Sequence, residues 1–111
     1  SLMDVPDSDN GTTSFGFDVA IQGDVEQSTN NIPMAEERVY IIYGNNAYAA
    51  TDVRTDEQGK FSFEGLQKGT YKIYVLSKDP LNEDIYYRVQ QEVTINAAEE
   101  IVNTEPFLIS Y

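Results

Sequence analysis

The stretch that decides the fold is Thr55 to Val75, TDEQGKFSFEGLQKGTYKIYV. It opens on Asp56-Glu57-Gln58-Gly59, a turn signal, and then Lys60-Phe61-Ser62-Phe63-Glu64 alternates strictly, as a half-buried strand requires. Gly65 to Gly69 is another turn signal. Thr70 to Ser77 is the strongest β segment in the chain, with Tyr71, Ile73 and Val75 expected on its inner side. Asp79-Pro80 followed by Asn82 ends it, because proline has no N–H to give to a ladder.

The same period extends outward from this stretch. Phe15, Phe17, Val19 and Ile21 alternate with Gly16, Asp18, Ala20 and Gln22, which predicts a first strand from Phe15. Residues 23–35 are polar, hold Asn30-Asn31 and Pro33, and predict a long connection. A second strand is expected over Arg38 to Tyr43. Gly44-Asn45-Asn46 then reverses the chain into a third strand near Tyr48 to Arg54. Ile85 to Ile95 and Ile101 to Ile109 supply the last two strands, joined by a turn or one short helical turn over residues 96–100. Residues 1–14, which hold Asp4, Pro6, Asp7, Asp9, Asn10 and Gly11 with little apolar content, are expected to be a flexible acidic tether to one domain over 15–111. Seven short strands with turn signals between them and no sustained helical period predict an all-β sandwich.

Composition narrows the function classes. The chain has 111 residues, of which 41% are hydrophobic, enough apolar side chain for one core. Nineteen acidic residues against seven basic ones give a net charge of -12, which repels phosphate backbones and anionic headgroups. No nucleic-acid partner and no membrane insertion of this domain are therefore expected. There is no Cys and no His, so disulfides, thiolate catalysis, a Ser-His-Asp triad and imidazole metal ligation are all excluded.

The pattern T-D-x-x-G-x-F-x-F-x-x-L-x-x-G-x-Y is filled at every position by Thr55, Asp56, Gly59, Phe61, Phe63, Leu66, Gly69 and Tyr71. It resembles the signature of carboxypeptidase regulatory-like and Cna B-like domains, which are transthyretin-like (prealbumin-like). Upstream, Ile21-x-Gly23-x-Val25 and Pro33-Met34 followed by Val39-x-Ile41 are similar to that family's first strand and its entry to the second. The chain departs from the pattern at Glu36 and Glu37, where Gly and Ala are usual. The resemblance implies a seven- or eight-stranded Greek-key β-sandwich, prealbumin-like, in an extracytoplasmic stalk, spacer or binding module on the cell surface or in the periplasm. Some Cna B-like domains carry a Lys-Asn isopeptide bond. Asn103 could stand as acceptor here, but Lys60, Lys68, Lys72 and Lys78 all lie outside the first strand, and no such crosslink is expected.

The remaining chemistry is sparse. Asp52 with Asp56, and Glu99 with Glu100, are carboxylate pairs, but a glycosidase needs its pair across a cleft that so small a sandwich seldom offers. Asp7-x-Asp9-x-Gly11 resembles the start of a calcium loop, yet Thr12 replaces the required glycine. No phosphate-binding glycine loop occurs. No enzyme activity, metal or cofactor is expected.

The informative feature is a second apolar face. If Val39, Ile41 and Tyr43 point inward, Tyr40 and Ile42 point outward; inward Tyr71, Ile73 and Val75 leave Tyr74 and Leu76 outside; inward Ile85, Tyr87 and Val89 leave Tyr86 and Arg88 outside. Those three strands are neighbours in transthyretin-like folds. The resemblance thus gathers Tyr40, Ile42, Tyr74, Leu76, Tyr86 and Arg88 into one patch of residue types common at interfaces. The plainer alternative is that a loop such as 23–35 covers it. The expected function is a non-enzymatic extracytoplasmic structural or protein-binding module of an exported surface protein, with or without a lipid anchor. The alternatives are a carbohydrate-binding module stacking sugars on the tyrosines, and a subunit of a fibre or larger surface assembly.

Overall fold

The computed structural model describes residues 19–96 and 101–110. The tether, Phe15, Phe17, the calcium-loop resemblance and the Glu99-Glu100 pair lie outside them. The described chain is an eight-stranded Greek-key β-sandwich: β1 Val19–Gln27, β2 Arg38–Tyr43, β3 Thr51–Arg54, β4 Lys60–Leu66, β5 Gly69–Asp79, β6 Asn82–Ile95, β7 Ile101–Asn103 and β8 Phe107–Ile109. One sheet runs β4-β1-β7, with β8 also pairing β1; the other runs β3-β2-β5-β6. No described helix is long and apolar enough to cross a membrane.

Alternation builds the core as expected. Ile21 and Val25 of β1, Val39 and Ile41 of β2, Phe61 and Phe63 of β4 and Ile73 and Val75 of β5 are all buried together between the sheets, with Phe107 and Ile109 of β8. Phe61 meets Phe63 edge-on at 6.0 Å between ring centroids and Phe107 at 5.8 Å, packing geometries aromatic rings favour. The boundaries of β2 match those read from sequence.

Three expectations are corrected. Residues 23–35 are not wholly a connection, because β1 continues to Gln27. Val25 is fully buried, pairs with Phe107, and exchanges backbone bonds with Gly59 and Met34. The polar residues of this run are its solvent side, and the chain reverses only at Ser28–Asn31. The last predicted strand is broken into β7 and β8, which pair in parallel with successive halves of β1. At the break Thr104 crosses β1 where only a glycine fits: a Cβ on Gly23 would collide with the Thr104 hydroxyl and the Phe61 ring. Finally, Ile85 and Tyr87 stand on the inner side of β6 but are 48% and 47% exposed. Ser77, their neighbour on β5, is the last buried position of the inner face. It is met there by Ser110, which donates its N–H to Ser77 Oγ at 2.8 Å. Beyond it the β5–β6 hairpin overhangs the described part of the opposite sheet.

The Thr55-Asp56 turn acts as a clamp. Thr55 is buried; its hydroxyl donates to the Met34 carbonyl at 2.6 Å and accepts from the Glu37 N–H at 2.9 Å, and its backbone N–H and C=O are bonded to Glu37 and Glu36, so every polar atom of Thr55 has a partner. Asp56 Oδ1 accepts the N–H groups of Gln58 and Lys60, and these bonds hold its carboxyl below the usual aspartate range. Lys60 in turn reaches Asp24 on β1 at 3.0 Å, which raises the lysine's pKa. Glu36, where the family pattern has Gly, is held at φ 61°, and burial pushes the Glu37 carboxyl up.

Candidate functional site

The register of the β3-β2-β5-β6 sheet brings all six patch residues to one face. Tyr40 lies opposite Tyr74, and Ile42 opposite Lys72. Leu76 lies opposite Arg88, and Lys78 opposite Tyr86. Because directly opposed residues share a face, the six positions fall in four successive rows on the same side of β2, β5 and β6.

The six are not equally available. Leu76 and Tyr86 are 41% and 55% exposed, Arg88 is exposed and Tyr40 is half-buried. Tyr74 and Ile42 are 8% and 2% exposed, although neither belongs to the cluster between the sheets. As exposed patch members these two are corrected.

For Tyr74 the cause is on the face itself. Its ring stacks on Tyr40 at 4.7 Å with 13° between planes, and the Arg88 guanidinium lies over it at 4.2 Å. Tyr40 arrives from β2 and Arg88 from β6, so the middle ring is enclosed from both sides. The stack contributes about 0.5–1.5 kcal/mol for the ring pair and about 0.5–1 kcal/mol for the cation beyond the area buried. It also fixes three side chains that would otherwise turn freely.

Sequence reading missed the polar frame of this face. Asp52 of β3 lies opposite Tyr40 and 4.0 Å from Arg38, and Gln90 lies opposite Tyr74. Asp52 was visible only as half of a carboxylate pair with Asp56, but Asp56 is consumed by its turn.

Elsewhere little chemistry gathers. An open depression of about 480 Å³ lies at the end of the sandwich between Tyr43 and the Gly65–Thr70 turn, and among the described residues Lys68 is the charged one that lines it. Tyr71 donates its hydroxyl to the Gln67 carbonyl at 2.6 Å there, and burial raises its pKa. Asn103 Oδ1 accepts from Gln22 Nε2 at 3.0 Å. Among the described residues no group of three acidic side chains stands close enough to hold a metal ion.

No protein-family model matches this chain, and no curated protein sequence is significantly similar to it. Solved structures are similar in fold. (S)-allantoin synthase superposes with a TM-score of 0.61 at 13% identity, over 86% of this chain and 42% of its own. The major pilin subunit of Bacillus cereus does so with a TM-score of 0.56 at 15% identity, over 82% of this chain and 29% of its own. A proposed carbohydrate-binding protein from Pseudomonas aeruginosa gives 0.52 at 16% identity, over 86% of this chain and 92% of its own. This chain thus spans less than half the length of the first two. Such identities speak for the β-sandwich alone.

Proposed function

We propose that this chain is a non-enzymatic module of the carboxypeptidase regulatory-like and Cna B-like kind, carried by an exported surface protein and binding a protein partner through the outer face of β3-β2-β5-β6. The observation that carries the reading is the Tyr40–Tyr74–Arg88 stack with Leu76 and Tyr86 beside it. Aromatic and arginine side chains already held in place lose little entropy on contact, which is what makes such residues effective interface anchors. Occurrence of the same architecture in a pilin subunit is in keeping with a surface structural role. Localisation outside the cytoplasm rests on the signature resemblance.

A carbohydrate ligand is the second reading, favoured by the Pseudomonas protein that this fold covers almost end to end. The stack argues against its simplest form. Sugar rings need an open aromatic face, and both faces of Tyr74 are taken, leaving the solvent side of Tyr40 and the Tyr86 ring.

The test is a photo-crosslinking residue at Leu76, compared with one at Ser62 on the other sheet, in the exporting organism, alongside a glycan array. Crosslinks to a defined protein from position 76 and not from 62 are expected. Equal labelling from both positions removes the face as a site, and glycan binding lost in Tyr40→Ala transfers the function to the sugar reading.

A further inference from the structure

β6 is the edge of its sheet, and no described strand pairs with its outer side. Its residues 82–88 are all exposed and include Ile85, Tyr86 and Tyr87. Backbone bonds show which groups of this edge are open. Thr70 gives its carbonyl to Gly44, and Lys78 gives its N–H to Ser110, so even-numbered β5 residues bond away from β6. Their partners on β6, Tyr86, Arg88 and Gln90, consequently direct N–H and C=O outward from the sheet. An edge of this kind is a template for another strand.

We propose that the partner is β6 of a second copy of this chain, antiparallel and centred on Tyr86. In that register the edge is self-complementary. Asp84 of each copy faces Arg88 of the other on the outer side, and Ile85 faces Tyr87 on the inner side, twice each by symmetry. The two Tyr86 residues exchange backbone bonds across the axis. Shifting the centre to Asp84 or Arg88 sets like charges against each other. A centre at Gln90 pairs Arg88 with Glu92, but leaves Ile85 and Tyr87 without each other. The arrangement covers the apolar side chains that the overhanging hairpin leaves open. Because the same patch is used by both copies, association closes at a dimer with an eight-stranded sheet and does not propagate into a fibre. It does not rest on the outer face binding a partner, although Tyr86 and Arg88 belong to both surfaces.

The interface is small and each chain carries -12, so the dimer is weak and is sought by sedimentation equilibrium up to about 1 mM at physiological ionic strength, where repulsion is screened beyond about 8 Å. A monomer–dimer equilibrium is expected. Arg88→Asp weakens it about tenfold, and adding Asp84→Arg restores it, because the swapped pair again opposes unlike charges. Ile85→Lys, at an exposed site that tolerates substitution, also weakens it. A monomer throughout, an unaffected dimer in Arg88→Asp or Ile85→Lys, or rescue of Arg88→Asp by Glu92→Arg instead of Asp84→Arg overturns the proposal.

Discussion

The two halves of the β5–β6 hairpin share one register and one alternation, yet they end in different environments. In the half that begins at Gly69, the inner residues Tyr71, Ile73, Val75, Val93 and Ile95 are buried against the other sheet. In the half beyond Ser77, the inner residues Ile85 and Tyr87 remain about half exposed. Period-2 patterning states which side of a strand a residue occupies; it does not state whether anything lies on that side. The reach of the opposing side decides that, and among the described residues it extends to Ser110 beside Ser77.

The comparison breaks most sharply with the same truncation in each half. Ile73→Ala should lower stability by about 3 kcal/mol, since it opens a cavity in a closed core, whereas Ile85→Ala should change it by less than about 0.5 kcal/mol. Urea denaturation at equal m-value measures both, and equal losses would mean that the overhang is covered. On the outer face, Tyr74→Leu should lose about 1–2 kcal/mol through its Tyr40 and Arg88 contacts, and Tyr86→Leu less than about 0.5 kcal/mol.

Away from the hairpin, effects become smaller. Glu36→Gly should raise stability by about 0.5–1 kcal/mol, because φ 61° costs a side-chain-bearing residue more than it costs glycine, and the Glu36–Arg54 contact it loses is an exposed 3.9 Å pair. A rise in thermal midpoint checks it. The smallest effect concerns Asp56. Its pKa is depressed in the folded chain by the N–H groups of Lys60 and Gln58, so its contribution is complete above the unfolded aspartate value and disappears as pH falls through the folded one. Asp56→Asn should therefore flatten the fall in stability below about pH 4, as read from denaturation midpoints at successive pH values.

Much of the fold was legible because turn chemistry and alternation are local. The Thr55–Tyr71 signature fixed β4, its two turns and the inner side of β5. What misled was also local: the polar run after Gly23 looks like a loop, although the Ile21-x-Gly23-x-Val25 match already pointed to a strand that continues to Val25. The candidate face was half legible. Strand neighbours placed its six residues together, but stacking of Tyr74 between Tyr40 and Arg88 depends on side-chain conformations that spacing does not carry.

By itself the sequence determined a sandwich of short strands, the identity of the residues on each side of them, and the absence of histidine and cysteine chemistry, since these follow from the pleat and from composition. Only the tertiary structure decided which apolar side chains are enclosed, which aromatic ring is sealed within its own face, and which strand is left at an edge. Those properties depend on how far one sheet extends over the other, a distance set by contacts between residues far apart in the chain.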